Sequence, residues 1–108
     1  MQTRGRPKKY RIVKVDPKIA QFSPRGKPGR PNEVELKMDE FEALRLNDYM
    51  NLPQKEAAKS MRISQQTFSR ILRIARKNVA HGLVTGSTIK IHGGYYVIVS
   101  RTEITGKK

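Results

Sequence analysis

Apolar positions recur at helical spacing through the middle of the chain and at strand spacing toward its two ends. Met38, Phe41, Leu44 and Tyr49 fall near a 3.6-residue period and predict a helix over about residues 39–50. Asp39 is placed to cap it, and Glu42 three residues on to return the bond to the cap amide. Leu52-Pro53 interrupts the pattern, and proline suits the first turn of a new helix. That second helix is short, Gln54 to Met61, and its small Ala57 and Ala58 let another helix approach. Arg62-Ile63 makes a turn, and Ser64 caps a third helix running from Gln65 to about Val84. Phe68, Ile71, Leu72, Ala75, Val79 and Leu83 form its apolar stripe. Gln66, Ser69, Arg70, Arg73 and Lys77 lie opposite, with Thr67 and Arg76 near the edges.

Strand signals are shorter. Tyr10 to Val15 is rich in β-branched residues and predicts one short strand. Thr88 to His92 and Tyr95 to Val99 flank Gly93-Gly94, a two-residue hairpin signal that would set Ile91 opposite Tyr96 and Ile89 opposite Ile98. The second of these runs is apolar on both faces, so it needs a further partner: the Tyr10–Val15 strand or a second subunit. Five of the six prolines lie before Asn32, and residues 1–9 and 23–32 read as extended.

Composition narrows the function. The chain has 108 residues with 23 Lys+Arg against 9 Asp+Glu, a net charge of +14. Residues 1–38 alone hold 11 of the basic and 3 of the acidic residues. The chain therefore divides into a basic arm (1–38), a helical domain (39–84) and a hairpin with a basic tail (85–108). Cysteine is absent, which removes disulfides, thiolate metal sites and cysteine nucleophiles. Two histidines, His81 and His92, have no carboxylates at ligand spacing and read as surface polar residues. No serine, threonine or tyrosine has a base beside it, so neither a catalytic residue, a cofactor nor a metal is expected. No apolar run approaches a membrane span or a signal-peptide core, and a cytoplasmic, nucleoid-associated location is expected.

A field this positive on a small protein points first to nucleic acid. Between Lys59 and Thr102 no acidic residue occurs, so the polar face of the third helix carries no carboxylate. Gln can bond adenine's exposed edge and Arg guanine's, which is what a major-groove reader requires. An isolated helix with such a face is more often merely solvated. The short helix, tight turn and capped helix, locked by Ala58, Met61, Ile63, Phe68 and Ile71, have helix-turn-helix spacing. The expected fold class is mainly α: a three-helix, winged-helix-like core with a basic arm and a C-terminal β-hairpin.

Several stretches resemble a small, largely uncharacterised prokaryotic family of predicted DNA-binding proteins with a helix-turn-helix like region four of the sigma factors. They are Phe22-Ser-Pro-Arg-Gly26, Asp39-Glu-Phe-Glu-Ala-Leu-Arg-Leu46, Gln54-Lys-Glu-Ala-Ala58, Ile63-Ser-Gln-Gln-Thr-Phe-Ser-Arg-Ile-Leu72 and Ile91-His-Gly-Gly94. The resemblance implies a DNA-binding regulator without enzyme activity. The chain departs from the family pattern at Arg62, where members often carry Gly, and at Gln65, where a basic residue is common. It also lacks the cysteines many members have near the position of Tyr10, so a metal-sensing role has no support. Arg62 occupies the turn site where the backbone often goes left-handed, at a cost on the order of 1 kcal/mol for a non-Gly residue.

The expected function is sequence-specific binding of double-stranded DNA in transcription. Ser64, Gln65, Gln66, Thr67, Ser69, Arg70 and Arg73 form the expected reading surface, and Arg76, Lys77 and Arg45 the phosphate contacts. Arg4, Arg6, Lys8 and Lys9, in a Gly-Arg-Pro context, suit phosphate or the narrow minor groove. A homodimer through the C-terminal hairpin is a further expectation. The alternatives are an RNA-binding or ribosome-associated protein, for which Tyr10, Tyr95 and Tyr96 would have to form a stacking platform, and a protein-docking helix-turn-helix module.

Overall fold

The structure is a computed structural model and describes residues 10–26, 29 and 31–99. Strands β1 (Arg11–Val13), β2 (Gln21–Phe22) and β3 (Glu33–Leu36) precede the helices. Helix α1 (Met38–Ala43) continues directly into a π-helical stretch, Leu44–Tyr49, followed by α2 (Gln54–Met61) and α3 (Gln65–Thr85). Strands β4 (Thr88–Ile91) and β5 (Tyr96–Ile98) come last. The result is an α/β domain of three helices and two small sheets rather than a mainly α fold.

The helical expectations are met in position. Helix α2 has the anticipated bounds, α3 begins at Gln65, and Ser64 Oγ accepts the Thr67 amide at 3.0 Å as its cap. Arg62 is left-handed, φ 59° and ψ 44°, with its amide donating to Lys59 and the Ile63 amide to Ala58. Ala58, Met61, Phe68, Ile71 and Leu72 are buried together with Ala43 and Leu46, and Ile63 packs against them. A second cluster, Val13, Leu36, Met38, Ala75 and Ile91, joins the sheets to the other end of α3. Together the two clusters hold α3 from both sides of its apolar stripe.

The first helix corrects the sequence reading at both ends. Its N-cap is Lys37, and Glu40 is the residue whose carboxylate returns to the cap, accepting the Lys37 amide at 3.0 Å. Glu42 is fully buried instead. It accepts the Lys14 amide at 3.0 Å and two bonds from Arg45 at 2.8 and 2.9 Å. Past Ala43 the hydrogen bonds lengthen to an i→i+5 step, as in Met50 N–H to Arg45 O at 2.9 Å. The wider turn changes the facing of later residues, so Leu46 is buried and Tyr49, which falls near the helical period of the apolar positions, is exposed. In α3 the stripe holds through Ala75 and Val79, but Leu83 is exposed and Gly82 packs on Ile89 in its place.

The hairpin does not form. Strand β4 is the centre of a three-stranded sheet, antiparallel to β2 and parallel to β3, with Ile91 opposite Leu36 and Ile89 opposite Val34 and Phe22. Strand β5 pairs in parallel with β1, setting Tyr96 opposite Arg11 and Ile98 opposite Val13. The anticipated strand at the N-terminal side is therefore β5's partner, though it is shorter than Tyr10–Val15. Gly93 and Gly94 have φ of 89° and 93°, and with them the chain crosses from one sheet to the other. Their neighbours explain the diversion. The Gly93 carbonyl accepts the Met38 amide at 3.0 Å, and a Cβ on Gly93 would lie 2.8 Å from Glu35 Oε2. The loop is thus bound to the start of α1 rather than closed on itself.

The parallel pairings require the chain to leave β3, build all three helices and return as β4. Among the described residues, the part assigned to the basic arm contributes three strands to the same unit as the helices, β1 where one strand is expected and β2 and β3 where none is. The strand Glu33–Leu36 was missed, although Glu-Val-Glu-Leu alternates and its burial alternates with it.

Candidate nucleic-acid interface

Helix α3 sits with its inner face against α1 and α2, and its outer face from Gln65 to Arg73 stays open. Gln65, Gln66, Thr67, Ser69, Arg70 and Arg73 line one shallow depression of about 670 Å³, and Gln54 from the start of α2 closes its side. Gln65, Gln66, Ser69, Arg70 and Arg73 are exposed and Thr67 is half-buried. Gln54 escaped the sequence reading; the only signal for it was a polar residue at the first turn of the preceding helix. Ser64 is adjacent, but its hydroxyl is committed to Thr67, 2.9 Å to Oγ1 in addition to the amide. The cap fixes where the helix begins and so where Gln65 and Gln66 project.

The charge on this surface follows from how the carboxylates are used. Asp39 lies 3.7 Å from Arg11, Glu42 holds Arg45, Asp48 holds Arg76, Glu33 lies 3.6 Å from Lys90, and Glu35 lies 3.6 Å from His92. Glu40 is taken by the Lys37 amide and by Asn78 Nδ2 at 3.0 Å. Helix α3 carries no acid, and α2 carries only Glu56. Arg70, Arg73 and Lys77 consequently have no carboxylate partner among the described residues. Two adjacent guanidinium groups on a rigid helix, with amide and hydroxyl side chains between them, offer donors and acceptors with uncompensated positive charge.

Two of the expected phosphate contacts are otherwise engaged. Arg76 is bound by Asp48 in a two-point contact, Nη2 to Oδ1 at 2.7 Å and Nε to Oδ2 at 3.1 Å, and also donates to Asn47 Oδ1 at 3.1 Å. The bond holds the Asp48 carboxyl below its ordinary range and raises the Arg76 guanidinium further. Arg45 is committed to the buried Glu42. Both arginines tie helical elements to their neighbours. Lys77 lies outside the depression, beside Ala80, His81 and Val84. Arg4, Arg6, Lys8 and Lys9 lie outside the described residues. Among the described residues, no three His, Asp or Glu side chains stand together as a metal site, and no helix is long and apolar enough to cross a membrane.

Comparison with known proteins places the chain in a family. Residues 1–99 match the family model described as protein of unknown function DUF134. A UPF0251 protein of Methanococcus maripaludis strain C7 is 48% identical over 96 residues, covering 88% of this chain and 74% of that protein. A UPF0251 protein of Desulfosudis oleivorans is 50% identical over 93 residues, 85% of this chain and 67% of that one. For a UPF0251 protein of Caldicellulosiruptor bescii the figures are 49% over 92 residues, 85% and 64%. No solved structure matches the chain. With nearly its whole length matched by the family model and relatives this similar in archaea and bacteria, the chain belongs to the DUF134/UPF0251 family.

Proposed function

We propose that this protein binds double-stranded DNA, reads its major groove with the first half of α3, and acts as a transcriptional regulator. The observation that carries this reading is the convergence of Gln54, Gln65, Gln66, Ser69, Arg70 and Arg73 on one open, carboxylate-free surface of a capped helix. Helix α2, the left-handed Arg62 turn and α3 then act as a helix-turn-helix, with α3 in the groove and the start of α2 toward the backbone. Arg70 and Arg73 supply guanine contacts, Gln65 and Gln66 adenine contacts, and Ser69 and Thr67 adaptable hydroxyls. Lys77 and the arm residues Arg4, Arg6, Lys8 and Lys9 add sequence-independent affinity through phosphate. Arg45 and Arg76 are left out of the contact set because carboxylates hold them.

The RNA alternative receives less support. Tyr10 and Tyr95 are exposed but touch at a tilt, ring centres 5.9 Å apart and planes at 53°, so the two rings do not make one flat platform. The test is selection of preferred duplexes from a random pool, with RNA as competitor, at two salt concentrations. Enrichment of a short motif, weakened by roughly 1–3 kcal/mol in Arg70→Ala or Arg73→Ala, supports the reading. Motif-free binding unaffected by both substitutions, or preference for RNA, overturns it.

A further inference from the structure

We infer that the DNA site met by α3 is a purine pattern of fixed order: adenines facing the start of the helix, guanines facing Arg70 and Arg73, and thymine methyl groups left uncontacted. The inference rests on the DNA-reading proposal and adds to it the makeup and polarity of the site. On a helix, residues four apart lie one above the other. The α3 side chains lining the open depression therefore fall into two rows, Gln65, Ser69 and Arg73 in one, Gln66 and Arg70 in the other. Each row begins with an amide and ends with a guanidinium.

The two kinds of side chain select different base edges. A glutamine offers a donor and an acceptor, which fit N7 and the N6 amino group of adenine. An arginine offers only donors, which fit N7 and O6 of guanine and leave an adenine amino group without an acceptor. Among the described residues, none partners the side chains of Gln65, Gln66, Ser69, Arg70 or Arg73, so these groups are available to bases. At about 1.5 Å per residue, Gln66 and Arg70 stand about 6 Å apart along the axis and Gln65 and Arg73 about 12 Å, against about 3.4 Å per base pair. The adenine and guanine contacts then fall about two to four base-pair steps apart.

Thymine differs from the other bases in the major groove by its methyl group, and an apolar neighbour is what reads it. Among the side chains lining the depression only Thr67 carries a methyl group. Thr67 is half-buried, and its hydroxyl accepts from Ser64 Oγ at 2.9 Å. Ile74, 38% exposed and one turn beyond Arg70, does not line the depression. An A·T pair at this surface is therefore distinguished by its adenine edge.

Duplex selection with the full chain, followed by base analogues placed in the selected duplex, tests the pattern. The expected motif has its adenines and guanines about two to four steps apart. Exchanging a motif guanine or adenine for its 7-deaza form, which lacks the N7 acceptor, is expected to weaken binding roughly tenfold. Exchanging thymine for uracil, which lacks the methyl group, is expected to change it by less than about twofold. Arg70→Gln and Arg73→Gln should lose the guanine preference and keep the adenine one, and Gln65→Ala and Gln66→Ala should do the converse. Three results overturn the inference while leaving DNA reading in place. They are a motif without this order, a roughly tenfold loss with uracil, and arginine variants that weaken all sequences alike and lower the salt dependence, as lost phosphate contacts do. Motif-free binding by the wild-type chain removes both the inference and the reading.

Discussion

Arg76 and Asp48, 28 residues apart, are joined by two parallel hydrogen bonds that tie the middle of α3 to the π-helical end of the first helix. Both side chains are about half exposed, so the pair contributes only about 0.5 kcal/mol to stability, within the range of surface ion pairs. Its larger effect is on orientation, since a two-point contact resists rotation of α3. Arg76→Gln is expected to leave the salt dependence of DNA binding unchanged, whereas Lys77→Gln, a phosphate contact, reduces the slope by about one. Measuring affinity over a salt series separates the two. The depressed Asp48 carboxyl contributes stability at neutral pH that is lost as pH falls through its folded-state value, below the ordinary Asp pKa of about 3.9. Denaturant unfolding across the acid range should show that contribution vanish in Asp48→Asn.

Glu42 has no exposure, and it answers a backbone amide and a guanidinium at once. Glu42→Ala leaves Arg45 and the Lys14 amide without their partner and is expected to cost about 3–5 kcal/mol in urea unfolding. Replacing both members, Glu42→Met with Arg45→Met, should recover part of that loss, because no charge then remains unpaired.

Arg62 adopts a left-handed backbone that Gly adopts without steric cost. Arg62→Gly removes the strain but adds freedom to the unfolded chain, so a net gain of about 0.5 kcal/mol is expected. A small rise in thermal midpoint would report it, while Arg62→Val should lower the midpoint.

Gly82→Ala should behave against helix propensity. In an open helix the change stabilises by about 1 kcal/mol. Here the new Cβ would lie 2.5 Å from Ile89 Cγ1, on the central strand of the three-stranded sheet. Ile89 must shift, and a net loss of about 1 kcal/mol is expected from overpacking. Adding Ile89→Ala, which removes both Cγ1 and Cδ1, should abolish the extra loss caused by Gly82→Ala, as read from a double-mutant cycle of unfolding free energies.

The helices were legible because their signals are local. Ser64, Pro53 and the 3.6-residue spacing of Phe68, Ile71, Leu72 and Ala75 act within one or two turns. The π-helical stretch was not, since nothing in Leu-Arg-Leu-Asn-Asp-Tyr distinguishes it from an α-helix, and the exposure of Tyr49 does not follow from the helical period. The sheets failed because Gly93-Gly94 gives the signal of a hairpin locally. Whether the flanking strands meet is decided by Val13 and Leu36, far away in the chain. At the candidate surface, the exposure of Arg70 and Arg73 followed from helical phase alone. The sequestering of Arg45 and Arg76 did not, because it depends on Glu42 being buried and on Asp48 reaching across to α3.

The parallel pairing of β1 with β5 has a kinetic corollary. Arg11 must wait for Tyr96, and Val34 for Ile89, before either has a strand beside it. During synthesis on a ribosome, the helices can assemble from near-neighbour contacts while Ile12, Val13 and Leu36 remain uncovered. Closure of the domain then comes as a late, high-contact-order step, and the interval before it is when the nascent chain is most exposed to aggregation or to chaperone capture.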